Sequence, residues 1–210
     1  MTRWAMAGFF GVAILLGAFS AAAGPATDVV RDTVDRVLKI ANDQALSEPQ
    51  RRARIKQVIL KSFGFEEMAR QSMGRHWNDL SAGQRTEFVS LFTDLLERTY
   101  INDIEAYKEG QEIHYGAERV DGDQIEVPST VLTEARDRIP VNYRLVKSGN
   151  GWQVYDLVVD GVSLVQNYRS QFSHIIEQQG YSTLLKRIRA KVKSEQAIEH
   201  TPGRPTEQLH

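Results

Sequence analysis

The sequence predicts an α+β fold, with helices packed against a curved antiparallel sheet of about four to five strands. Three observations predict it. Apolar residues recur at helical spacing from Asp28 to near Gly110, alternate in short segments from there to Gly161, and return to helical spacing afterwards. Helices, then consecutive strands, then helices are the order of an α+β domain, and such a sheet can curl around or against the helices. Periodicity leaves open whether the apolar faces close on each other or leave a void.

The first 23 residues read as a secretory signal peptide. Arg3 supplies a short positive start, an apolar run extends from Ala5 to Phe19, and Ala21 and Ala23 form an A-x-A cleavage pattern. The run falls short of the roughly 20 residues that span a bilayer. The expected organisation is residues 1–23 as signal, 24–198 as one domain and 199–210 as a disordered tail. With 26 Lys and Arg against 27 Asp and Glu, the overall field gives no reason to expect nucleic acid as a partner. Cys is absent, which excludes thiol chemistry and cysteine-metal sites even though an exported chain meets an oxidising compartment. A bacterial periplasm fits.

The elements follow in order. Val30, Val34, Val37, Leu38 and Ala41 stripe a first helix, with Asp28 and Asp32 near its positive end. Ser47 to Gln50 has the S-x-x-Q form of a capping box and opens a second helix bearing Ile55, Val58, Ile59 and Phe63. Phe65 to Ser72 reads as a short helix ended by Gly74. A second S-x-x-Q box at Ser81 to Gln84 starts the longest helix, whose wide aromatic face carries Phe88, Leu91, Phe92, Leu95, Leu96, Tyr100 and Ile104. The strand segments are EIHYG, AERVDG, QIEVPSTVLTE, IPVNYRLVKS and GWQVYDLVVDG, with KSGNGW as a hairpin turn and Pro128 and Pro140 as strand starts, edges or bulges.

Val154 to Val159 is too continuously apolar for a sheet with one wet face, so part of it is expected to be covered on both sides. Gly161 permits a turn, and a third S-x-x-Q box at Ser163 starts a helix with Val165, Tyr168, Phe172, Ile175 and Ile176. After Gly180 a last helix packs Leu184, Leu185, Ile188 and Val192.

Chemistry-bearing patterns are sparse. The five histidines are scattered without metal-ligand spacing, and no nucleophile elbow or phosphate-binding glycine loop is present. The best acid–base candidates are Asp156 and Tyr143. Strand alternation places Asp156 on the face of Val154 and Val158, where a buried carboxylate needs a partner; a bond to a Tyr, an Arg or the backbone that fixes the sheet is the stronger reading. The basic run Lys186 to Lys193 reads first as a solvated helix face and second as a docking surface for anionic head groups or an acidic partner.

Several motifs together carry a resemblance. They are F-x-x-M-A-R at Phe65 to Arg70, G-x-x-W-x-x-L-S-x-x-Q at Gly74 to Gln84, F-x-x-L-F-x-x-L-L at Phe88 to Leu96, Y-x-L followed by W-x-V-Y-D between Tyr143 and Asp156, D-G-V-S-L-V-x-N-Y-R-S-Q-F at Asp160 to Phe172, and G-x-x-x-L-L-x-x-I at Gly180 to Ile188. Their order and spacing resemble the MlaC family, also called the toluene-tolerance auxiliary family.

The resemblance implies a helical layer packed on a curved sheet that encloses an apolar pocket. It further implies a periplasmic carrier of diacyl phospholipid, with no catalytic residue and no cofactor. Its implied partners are an inner-membrane ABC-transporter complex with a lipid-binding periplasmic subunit and an outer-membrane lipoprotein–porin complex, and its role is to maintain outer-membrane lipid asymmetry. Pattern and resemblance together put Phe65, Met68, Phe88, Phe92, Leu95, Tyr143, Val154, Val162, Val165, Tyr168 and Phe172 at the lipid. Arg169, Lys186 and Arg187 are the candidates for head-group or partner contact. Three alternatives stay open: a hopanoid-handling member of the same family, an isomerase or hydratase using Asp156 or Tyr143 on a cone-shaped α+β fold, and an adaptor with no cavity.

Overall fold

The computed structural model describes residues 24–105, 112–133, 135–149 and 151–199. The expected signal segment, the expected end of the long helix near Gly110 and the tail from residue 200 lie outside them. Four helices come first: α1 (Pro25–Ala41), α2 (Glu48–Ser62), α3 (Phe65–Met73) and, after a 3-10 turn over Gly74–Asp79, α4 (Ala82–Glu105). The strands follow as β1 (Glu112–Tyr115), β2 (Arg119–Asp121), β3 (Gln124–Val127), β4 (Ser129–Leu132), β5 (Arg138–Ser148), β6 (Gly151–Val159) and β7 (Val162–Ser163). Two helices, α5 (Leu164–Gln179) and α6 (Tyr181–Glu199), close the order. Among the described residues no helix is long and apolar enough to cross a membrane.

The S-x-x-Q boxes mark three helix starts. The Ser47 N–H donates to Gln50 Oε1 at 2.9 Å, and the same bond recurs from Ser81 to Gln84, where the Gln84 N–H also returns a bond to Ser81 Oγ at 3.3 Å. At the third box Ser163 Oγ accepts the Gln166 N–H at 3.0 Å. Each such cap contributes about 1 kcal/mol by satisfying amides that the first helical turn leaves open. The start of α1 is fixed differently: Thr27 donates its backbone N–H and its hydroxyl to Glu118 Oε1, which ties the helix to the sheet.

The seven strand segments lie on five lines of an antiparallel sheet. β3 and β4 share one register against β5, with Gln124 opposite Val146 and Thr130 opposite Pro140. They are therefore one strand bent at Pro128, which has no N–H to offer the ladder. β1 and β2 pair with β4 and β3 respectively. β6 lies along the other side of β5, and β7 ends the sheet beside β6. The β6–β7 hairpin turns on Asp160 and Gly161, at φ 49° and 80°. Two successive positive φ values make the tight turn that matches strand twist, and an Asp-Gly pair is suited to it.

Two packed clusters hold the molecule together. The larger joins α3, α4, α5 and α6 around Phe88, Phe92, Tyr168 and Phe172, and it also takes in Tyr155 of β6. The smaller lies on the opposite face of the sheet, where Val154 packs with Ala26, Val30, Ile125, Val127 and Leu145. Neighbouring residues of β6 thus serve both cores, which explains its continuous apolar sequence.

Candidate functional site

A cavity of about 780 Å³ opens between α1, α2, the later turns of α4 and the concave face of the sheet. Its size falls within the range of roughly 300–1,000 Å³ usual for small-molecule sites. Each wall follows from side-chain spacing. α1 contributes Val30, Thr33, Val34, Val37 and Leu38, which share one helical face. β5 contributes Ile139, Val141 and Tyr143, every second residue of a strand. α4 presents Leu96, Tyr100 and Ile104.

The cavity has a closed end and an open one. Val30, Met68 and Val154 line it and are each 1% exposed, so they form its floor. Leu60, Ile139, Val159 and Val162 also line it, yet each exposes between 36% and 61% of its surface. Large aliphatic side chains left in water around a hollow mark where the cavity meets solvent.

Of the residues singled out in the sequence, Phe65, Met68, Tyr143, Val154 and Val162 line the cavity. Phe88, Phe92, Leu95, Val165, Tyr168 and Phe172 lie instead in the helical core. There the Phe92 ring meets Tyr168 edge-on at 5.2 Å and Phe172 at 5.6 Å, an arrangement closed within the protein. Burial holds the Tyr168 hydroxyl well above the ordinary tyrosine pKa, as expected away from water. Arg169 is exposed, and its guanidinium lies over Gly74. Lys186 and Arg187 are exposed on α6, and Arg187 donates to Gln179 Oε1 at 2.9 Å. None of these three lines the cavity.

The expected face of Asp156 needs correction. The β5–β6 pairing shifts register, with Asp156 opposite Arg144 but Val154 opposite Leu145, which leaves Tyr155 as an extra residue. A bulge of this kind resets the alternation. Val154 and Leu157 therefore both face the cavity, while Asp156 turns to the other side, away from Tyr143.

There the Asp156 carboxylate is 1% exposed and fully engaged. It accepts from Ser163 Oγ at 2.6 Å, the Val165 N–H at 3.0 Å and Arg144 at 3.2 Å. The negative group sits at the positive end of α5 and fixes that helix to the sheet. Tyr143 and Asp156 do not form an acid–base pair across one pocket. Replacing Asp156 with Ala is expected to cost about 2–4 kcal/mol, because it strands a buried helix amide and removes the buried partner of a half-exposed Arg144. Urea unfolding measures this; a loss below about 0.5 kcal/mol, the usual effect of a surface change, would contradict the role.

Other chemistry is thin at the cavity. Among the described residues no group of three or more metal-ligating side chains is placed to hold an ion. The polar lining consists of hydroxyls, the Asn167 amide and the pair Lys56 and Glu97. Such a surface can cover an apolar ligand and offers few groups to transform one.

The lining residues missed in the sequence are those of α1, α2 and the second face of α4, together with sheet residues such as Val131, Ile139, Val141 and Leu157. At 100° per residue, Leu95 to Ile104 sweep about half the circumference of α4, too wide an apolar arc for one packing contact. That width was the available signal.

Comparison with known proteins agrees with this geometry. Residues 31–190, well over half of the chain, match the family model described as MlaC protein. The intermembrane phospholipid transport system binding protein MlaC of Haemophilus influenzae is 25% identical over 139 residues, and the match spans 64% of this chain and 64% of that protein, just under two thirds of each. A solved structure, the phospholipid-binding protein from Ralstonia solanacearum in complex with a phospholipid, superposes with a TM-score of 0.74 at 28% identity, covering 82% of this chain and 99% of that one. The motifs, the fold and the family match converge, and the chain belongs to the MlaC family.

Proposed function

We propose that the cavity holds the acyl chains of a diacyl phospholipid and that the protein carries this lipid through the periplasm. The observation that supports the reading most is an apolar hollow of about 780 Å³ with a buried floor and an exposed aliphatic rim. The names of the two relatives, one a phospholipid transport protein and one a phospholipid-binding protein, point the same way.

The physics of carriage requires such a site. Each methylene kept out of water is worth about 0.8 kcal/mol, so a carrier must cover both tails for the whole passage. A lining of aliphatic and aromatic side chains does so without demanding a particular chain length. Binding of this kind reverses slowly by itself, so handover needs a partner that opens or competes for the cavity. In this reading the partners are an inner-membrane ABC-transporter complex and an outer-membrane lipoprotein–porin complex, and the exposed Lys186 and Arg187 are contacts for one of them. Export by a cleaved signal segment completes the proposal.

Transfer between vesicles tests it. With a labelled phospholipid in donor vesicles and none in acceptors, the initial transfer rate is expected to rise in proportion to protein concentration. A rate that stays at the protein-free level would overturn the carrier reading.

A further inference from the structure

Among the described residues that line the cavity, two are charged, Lys56 on α2 and Glu97 on α4. They meet: the Lys56 ammonium stands 2.5 Å from a Glu97 carboxylate oxygen. Both side chains keep contact with water, at 41% and 29% exposure. Leu60, a turn further along α2 and also part of the lining, is 44% exposed. The pair therefore sits at the rim, where a ligand's tails would end and its polar group would meet solvent.

We infer that Lys56 and Glu97 form a two-charge seat for a phospholipid head group that carries an amine, with Lys56 taking the phosphate diester and Glu97 taking the ammonium. This rests on the lipid-carrier reading above and adds a head-group preference to it.

Charge arithmetic at the rim favours that class. A lone phosphate is drawn to Lys56 but repelled by Glu97 beside it, so an anionic lipid gains little. A head group with an ammonium a short linker from its phosphate presents both signs. It can exchange the partner of each protein charge for another opposite charge, so no ion is left uncompensated at the edge of an apolar cavity. Partial exposure keeps this exchange inexpensive, since neither side chain is locked in a dry site.

The side chains suit their roles. Lysine approaches a phosphate as a mobile point charge with three donors, and a primary ammonium donates charge-assisted hydrogen bonds to a carboxylate. A quaternary ammonium has no N–H to donate. The expected order is therefore ethanolamine over choline over glycerol head groups.

The test uses vesicles with equal parts phosphatidylethanolamine and phosphatidylglycerol of identical acyl chains. Full-length mature protein is incubated with them, re-isolated and extracted, and the ratio of the bound lipids is measured by mass spectrometry. Wild type is expected to favour the ethanolamine lipid by roughly fivefold, the factor that corresponds to about 1 kcal/mol. E97Q is expected to bring the ratio near one, while the charge-exchanged double variant K56E/E97K retains the preference. Both variants should stay folded, because a partly exposed ion pair adds little to stability.

An unchanged ratio in E97Q, or wild type that loads both lipids equally, would overturn the head-group assignment and leave the pair as a clasp between two helices. Lipid would still be carried in either case. Wild type that loads neither lipid would overturn the carrier reading and this assignment together.

Discussion

Val141→Trp is expected to empty the cavity of lipid and leave the protein folded. Val141 lies between Ile139 and Tyr143 on the concave face of β5, opposite Val159 in the ladder, and all four line the hollow. An indole added there enters open space rather than a packed core. The usual penalty of about 1–3 kcal/mol for overpacking therefore does not apply, and the change in stability is expected to stay below about 1 kcal/mol. A lipid in the hollow would lose its room. Loading from phospholipid vesicles should fall at least roughly tenfold, equivalent to about 1.4 kcal/mol or more. Loading at the wild-type level would mean that the ligand lies elsewhere.

Phe92→Ala is expected to do the reverse. Phe92 is fully buried and packs against Phe88 at 5.7 Å, Tyr168 at 5.2 Å and Phe172 at 5.6 Å between ring centres. Truncation removes a large apolar side chain and leaves a hole that neighbouring helices fill only in part, at a cost of about 3–5 kcal/mol. For a domain of this size that lowers the melting temperature by roughly 6–20 °C. Lipid loading at low temperature should be retained, because the ring does not line the cavity. A small loss of stability with a large loss of lipid would show that Phe92 faces the ligand after all.

These two variants separate what the sequence could show from what it could not. Periodicity places six helices and the bent strands because spacing is set by backbone geometry. The serine boxes place three helix starts for the same local reason. The cavity is different. A helix face covered by another helix and a face covered by a ligand carry the same apolar stripe, so Phe88, Phe92 and Leu95 read no differently from Leu96, Tyr100 and Ile104. Only the tertiary arrangement closes the first group into the helical core and lets the second also line the hollow.

Asp156 illustrates a second limit. Alternation counted from Val154 assigns it to the cavity face, and one extra residue at Tyr155 moves it to the other. No special residue type marks that bulge in the sequence. The same residues nevertheless account for the helix that follows, since Asp156 and Ser163 together cap α5. The ion pair between Lys56 and Glu97 was invisible for another reason: the two residues are far apart along the chain and join only where α2 passes α4.

Carriage of a phospholipid requires its tails to fill the hollow between the helices and the sheet. Its most direct test is to purify the protein without detergent, extract it with organic solvent and identify and count the released lipid by mass spectrometry. Near-stoichiometric diacyl phospholipid from wild type, and a loss of it in Val141→Trp, is the predicted result. A wild-type protein that yields no lipid and takes none up from vesicles would contradict the claim.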